Sequence, residues 1–252
     1  MAAIYPDLAG KVVLVTGGAS GIGEAIVRHF ARQKSTVVFF DIKVEEGTEL
    51  ARELTGAGFA VHFWDVDLTD TAALRAGVIE ARKAHGAISV LINNAAHDER
   101  HPTEEMTPEY WDDRVGVNIK HQFFAAQAVL PDMKAAKAGA IINFGSISWM
   151  AGQGGMAAYT TSKAGVLGLT RSLARDYGPY NIRVNAIAPG WTMTKRQIEK
   201  WLTPEGEEEL MRRQCLKRKV VPDEIAKFTV FLASDEASAC TSQQYVVDGG
   251  WV

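Results

Sequence analysis

Cysteine is scarce in this chain. Its 252 residues hold two, Cys215 and Cys240, far apart and in no metal-binding or redox spacing. That excludes a disulfide scaffold and predicts reduced thiols in a cytoplasmic protein. An excess of one charge is also missing: 27 Lys and Arg face 30 Asp and Glu, a formal charge of -3. A nucleic acid or an anionic membrane would favour a basic face, so neither is an expected partner. The one basic run, Lys217-Arg218-Lys219, reads as a solvated patch. No apolar stretch is long enough to span a bilayer. Met1 to Gly10 carries Pro6 and Asp7, not a signal peptide's apolar core behind a basic start. Solenoid repeats and low-complexity segments are absent as well.

Alternating strand and helix patterns fill the chain instead. Lys11–Thr16 is an apolar run, followed by a helical pattern from about Glu24 to Gln33. The strand Thr36–Phe40 ends at Asp41, with a helix around Val44–Leu54 behind it. Phe59–Trp64 is the third strand, Thr71–Ala84 a helix and Ile88–Ile92 the fourth strand. Pro108–Lys137 holds one or two long helices, and Gly139–Phe144 is the fifth strand. The helix Ala157–Tyr177, strand Ile182–Ile187, helical Lys195–Arg213 broken at Thr203-Pro204, helix Asp223–Ser234 and strand Gln244–Val247 complete the series. Such alternation predicts an α/β fold: one doubly wound parallel sheet with helices on both faces, in a single domain spanning 1–252.

In that architecture ligands sit at the carboxyl ends of the strands. There the first strand meets Gly17-Gly18-Ala19-Ser20-Gly21-Ile22-Gly23. Gly17 allows a tight turn, Gly21 lets the backbone approach a pyrophosphate, and Gly23 lets helix pack on strand. The helix N-terminus supplies free N–H groups for phosphates. Asp41 ends the second strand, 18 residues after Gly23, where a carboxylate accepts from ribose hydroxyls and repels a 2′-phosphate. NAD is therefore the expected cofactor, and a basic residue at Ile42 would work against it. Asp65 and Val66 after the third strand are placed to bracket the adenine. Asn93-Asn94-Ala95-Ala96 after the fourth offers small residues where backbone passes the cofactor.

Tyr159 and Lys163 are four apart and share a helix face. An ammonium one turn away favours the phenolate, lowering a pKa that is ordinarily about 10. Ser146, 13 residues before Tyr159 and just past the fifth strand, can hold a substrate oxygen beside the phenol. Ser148 is the nearby competitor. Asn118 is a fourth candidate.

Together, Thr16-Gly17-x-x-x-Gly21-Ile22-Gly23, Asn93-Asn94-Ala95, Asn118, Ser146, Tyr159-x-x-x-Lys163 and Pro189-Gly190 resemble the short-chain dehydrogenase/reductase superfamily over nearly the whole chain. The resemblance implies a single Rossmann domain with seven strands in the order 3-2-1-4-5-6-7, and a homotetramer. It implies Tyr159 as general base, Lys163 on the nicotinamide ribose, Ser146 positioning the hydroxyl, and Asn118 holding a relay water. Thr192 and Thr194 would fix the nicotinamide carboxamide. One departure is Ala96, where many members have glycine.

The loops outside the strand ends are polar and aromatic: His97 to His101, Trp149, Gln153, Trp191, Arg196 and Trp201. Carboxylates and amides suit hydroxyl pairs, and flat rings suit a sugar face. Asp98-x-Arg100-His101, Asn143 to Trp149, Thr194 to Gln197, Glu199 to Glu207 and Gln214 to Lys217 resemble the D-xylose 1-dehydrogenase-like aldose dehydrogenases of bacteria. That implies oxidation of an aldopyranose at C1 to a lactone, with Asp98, Trp149, Gln153, Trp191 and Arg196 at the sugar and a lid around 191–215. His97, Glu99, Ile198 and the stretch Gln153–Met156 depart from that subgroup, which leaves L-arabinose, D-galactose and L-fucose beside D-xylose. The rivals are a 3-oxoacyl or ketone reductase and a non-catalytic NAD-binding module. A metal on His97 and His101 lacks a third ligand.

Overall fold

β-Branched and aromatic runs form seven strands in the computed structural model, which describes residues 3–252. They are β1 (Val12–Thr16), β2 (Thr36–Asp41), β3 (Val61–Asp65), β4 (Ile88–Asn93), β5 (Gly139–Phe144), β6 (Ile182–Pro189) and β7 (Gln244–Val247). All pair in parallel, in the order β3-β2-β1-β4-β5-β6-β7. Every residue of the central β1 is buried, because helices cover both sheet faces.

The helices are α1 (Gly21–Arg32), α2 (Val44–Gly56), α3 (Thr71–His85), α4 (Pro108–Val115), α5 (His121–Ala136), α6 (Ala157–Tyr177), α7 (Lys195–Lys200), α8 (Pro204–Arg213) and α9 (Pro222–Ala233). Successive strand side chains alternate between two cores. Val13, Val15, Val37 and Phe39 join Ile26 and Phe30 of α1, Leu50 of α2 and Ile225 of α9. Leu14, Val38 and Phe40 join Leu74 of α3, Val129 of α5 and Leu173 of α6 on the other face.

Several boundaries differ from the sequence reading, each for a local reason. α1 begins at Gly21, not Glu24, because Gly21 in the left-handed region (φ 60) turns the chain straight into the helix. β3 begins at Val61, since the Phe59 amide is spent closing α2 on the Leu54 carbonyl. The long helical stretch is broken: the Thr107 hydroxyl caps α4, and a π-helical turn, Gly116–Lys120, separates α4 from α5. The basic run Lys217-Arg218-Lys219 is on the surface, as expected, with its charges in partly exposed contacts. Arg218 pairs with Glu224 at 2.6 Å, Lys219 with Glu207 at 2.7 Å, and the Lys217 ammonium caps the Gln214 carbonyl. No helix among the described residues is long and apolar enough to cross a membrane.

Candidate active site

The carboxyl ends of the central strands open on one cleft of about 1560 Å³. Gly17, Ser20, Gly21, Ile22 and Gly23 line one wall, with Asp41 and Ile42 at its edge. A Cβ on Gly23 would stand 1.8 Å from the Gly17 carbonyl oxygen, and one on Gly17 2.7 Å from the Ala95 Cα. The turn therefore closes only with glycine at both positions. Asn94 staples it to the loop after β4, donating through Nδ2 to the Thr16 and Gly17 carbonyls at 3.2 and 2.9 Å. The Asp41 carboxylate is aimed by two backbone amides, Ala19 at 2.9 Å and Lys43 at 3.1 Å. Each oxygen keeps a lone pair for a ribose hydroxyl. Val66 and Ala95 line the floor, and Pro189, Gly190, Thr192 and Thr194 the facing wall. The Ser20–Ile22 entry to α1 on the cleft wall, the aimed carboxylate and the cleft's volume fit a dinucleotide.

Four expected residues lie outside the cleft lining. Asp65 is exposed at the end of β3, and Asp67 and Leu68 line the cleft in its place. The run Asp67-Leu68-Thr69-Asp70 carried the signal, since Asp70 caps α3 and so fixes where the strand-to-helix crossing ends. Asn93 is fully buried and donates to Gln122 O and Asn143 Oδ1 at 3.1 and 2.9 Å, tying β4 to its neighbours. Asn118 is buried in the π-helical turn, its side chain exchanging two hydrogen bonds with the His97 backbone at 2.9 and 3.1 Å. Trp149, half-buried in the turn after β5, does not line the cleft. Trp251 lines the cleft instead, edge-on to Trp191 with ring centroids 6.4 Å apart. Nothing in the local pattern near the chain end marked it.

Ser146, Tyr159 and Lys163 meet where β5 ends and α6 begins, and all three line the cleft. Lys163 is 1 % exposed, and its ammonium donates to the Phe144 carbonyl at 2.7 Å. It lies 5.7 Å from the Tyr159 ring centroid. Burial pushes the Lys163 pKa down to about 7, opposed by the Asp98 carboxylate. Burial pushes Tyr159 up to about 12, with Ser146 pulling it down and Asp98 adding to the rise. The expected lowering of Tyr159 by Lys163 is thus not seen: desolvation of the phenolate outweighs the one lowering group, Ser146. Beneath them His121 is fully buried beside Thr16 Oγ1 at 3.4 Å, and burial together with Lys163 holds it neutral, down to about 3.

The outer wall is polar. Asp98 accepts from Arg196 Nε at 3.1 Å and from Gln197 Nε2 at 2.5 Å. Gln153 and Trp191 line the same space, with Arg100 stacked on Trp201 at 4.3 Å. His97 and His101 have separate partners, Arg114 and the Pro102 carbonyl. Gln197 was not singled out as a site residue from sequence.

The family model described as enoyl-(acyl carrier protein) reductase matches residues 17–252. The D-xylose 1-dehydrogenase of Caulobacter vibrioides is 47% identical over 249 residues, covering 99% of this chain and 98% of that one. The Rhizobium meliloti protein named probable galactose dehydrogenase GalD is 47% identical over 247 residues, 98% of this chain and 96% of its own. A solved double mutant of the Serratia marcescens short-chain dehydrogenase/reductase superposes with a TM-score of 0.89 at 33% identity, covering 97% of this chain and 99% of that one. With its sheet order, glycine turn and Ser146, Tyr159 and Lys163 at one cleft, the chain belongs to the short-chain dehydrogenase/reductase family of oxidoreductases.

Proposed function

We propose that this protein is an NAD-dependent aldose 1-dehydrogenase, oxidising an aldopyranose at C1 to the lactone. The observation that carries this reading is the continuity of the cleft. It runs from the glycine turn and Asp41, past Ser146 and Tyr159, to a wall of Asp98, Gln153 and Arg196 with Trp191. A steroid or acyl chain would ask for aliphatic walls there. The names of the two sugar dehydrogenases at 47% identity support the same substrate class.

NAD, when bound, supplies the hydride acceptor. The residues of this chain do the rest. Ser146 holds the C1 hydroxyl beside Tyr159, whose phenolate oxygen takes its proton. Lys163, docked on the Phe144 carbonyl, sets the charge next to that oxygen. Asn118 contributes to the relay through its backbone carbonyl, since its side chain is committed to His97. Asp41 favours NAD over NADP. Glu46, Glu49 and Glu53 line the same end of the cleft, and the cations there face carboxylates, Arg28 with Glu24 and Glu53, Lys43 with Glu46 at 3.8 Å. The segment 191–215 acts as a lid, and the chain works as a cytoplasmic homotetramer.

The test is absorbance at 340 nm, with NAD for D-xylose, L-arabinose, D-galactose and L-fucose, and with NADH for a ketosteroid and an acetoacetyl thioester. Turnover of at least one sugar is expected, lost in Tyr159→Phe with NAD binding kept. Activity confined to the last two compounds rejects the aldose reading and leaves the oxidoreductase.

A further inference from the structure

Three distant segments meet at one side chain on the outer wall of the cleft. Gln197 Nε2 donates to Asp98 Oδ2 at 2.5 Å, and Gln197 Oε1 accepts from the Trp191 indole N–H at 2.8 Å. Asp98 comes from the loop after β4, Trp191 from just past the end of β6, and Gln197 is the third residue of α7. All three line the cleft. The partners differ in kind: a carboxylate only accepts and an indole only donates. A carboxamide answers both with its two ends, which also fixes its orientation. Leucine answers neither, lysine cannot accept, and ionised glutamate cannot donate.

The helix carrying Gln197 is only six residues long. So short a helix is not held by its own backbone bonds. Its attitude comes from the Thr194 hydroxyl, which caps the Gln197 amide at 3.2 Å, and from this clasp. Arg196 on the same helix takes the other Asp98 oxygen at 3.1 Å. Asp98 is therefore no free carboxylate waiting for hydroxyls. One lone pair on each oxygen is taken, and the others are left with a set direction. The same carboxylate bears on the reacting pair, raising the pKa of both Tyr159 and Lys163.

We propose that Gln197 is a positioning residue for the sugar site: it holds Asp98 and Trp191 in the attitude in which they meet the hydroxyls and ring face of the substrate. This rests on the aldose reading above and names what shapes the sugar wall.

The experiment compares the native enzyme with Gln197→Leu and Gln197→Glu. It measures KM and kcat for the sugar that the native enzyme uses, NADH affinity by fluorescence, and deuterium exchange over residues 195–201. Gln197→Leu should raise KM by roughly tenfold or more, from the loss of two part-buried hydrogen bonds, with a smaller fall in kcat. NADH affinity should hold, and exchange over 195–201 should quicken. Gln197→Glu should show the same defect at neutral pH, because it sets one carboxylate against another. Its KM should recover toward native as the pH is lowered, where the pair shares a proton. Gln197→Leu should not recover. KM within about twofold of native in both variants overturns the proposal. So does NADH affinity falling in step with sugar affinity, which would make Gln197 a general support of the cleft. If no sugar is turned over by the native enzyme, the aldose reading fails; exchange then judges the clasp alone, upheld if faster in Gln197→Leu and rejected if unchanged.

Discussion

Lys163 and Tyr159 show how far a side chain's chemistry depends on where it is buried. A lysine brought down to about 7 binds fewer protons in the folded state than in the unfolded chain, where its pKa is 10.5. Between those values stability rises with pH, and below about 7 the full penalty is present. Lys163→Met removes the titration. The variant should therefore be more favoured relative to native at pH 7 than at pH 9, the gap changing by at most about 1.4 kcal/mol per pH unit. Urea unfolding of both proteins at the two pH values measures it. The hydrogen bond lost at the Phe144 carbonyl, which keeps Gln122 Nε2 at 3.3 Å, costs the same at both and drops out. Asp41 is the residue proposed to set the cofactor preference. Asp41→Ala should raise the NADP-to-NAD ratio of kcat/KM by roughly ten- to hundredfold, since a hydrogen-bonded charge contributes about 1.5–3 kcal/mol. An unchanged ratio would remove Asp41 from that role.

The turn from β1 to α1 works only as a unit. Gly17 and Gly21 lie in the left-handed region at φ 68 and 60, while Gly23 abuts the Gly17 carbonyl. In Gly23→Ala the new methyl meets backbone, not a flexible side chain, so the turn itself must shift. Overpacking of this kind costs about 1–3 kcal/mol of stability, and NAD affinity should fall by roughly tenfold or more because the displaced atoms are the phosphate cradle. Thermal melts with and without NAD read both effects; a native melting shift on adding NAD would contradict the assignment. The π-helical turn is a second such unit. It buries Asn118 and sends its side chain to His97, and Gln122 Nε2 reaches both the Asn118 and Phe144 carbonyls at 3.2 and 3.3 Å. Periodicity called for helix across this stretch and could not show one extra residue in a turn, since the inserted residue leaves the apolar face almost unchanged.

At the scale of the whole molecule, assembly is proposed to bring the helical stretch Asp112–Val129 and α6 against their copies, and the C-terminal segment Gln244–Val252 against its own. Light scattering at micromolar concentration should give four chains; a stable monomer would contradict it. Of the small residues on α6, Gly168 has open space where a Cβ would project, whereas a Cβ on Gly165 would meet Ile119 of the same chain at 2.8 Å. Gly165 thus serves internal packing, and Gly168 is the one left for a close approach. The strand order was implied by family resemblance and is the one the sheet has; sequence alone determined the class of fold, the glycine turn, Asp41, and the trio Ser146, Tyr159 and Lys163. These are set by short-range spacing: a strand's end, a tight turn, one turn of helix. Tertiary structure alone decided that Asp67 and Leu68, not Asp65, line the cleft, and that Asn93 and Asn118 spend their side chains inside the protein. It alone brought Trp251 beside Trp191 and Gln197 between Asp98 and Trp191. Those contacts join residues dozens to a hundred positions apart or turn on which way a side chain faces, and neither is encoded in any local pattern. The pKa values follow the same division: residue type sets the starting value, while burial in the assembled core moves Tyr159 up and Lys163 down.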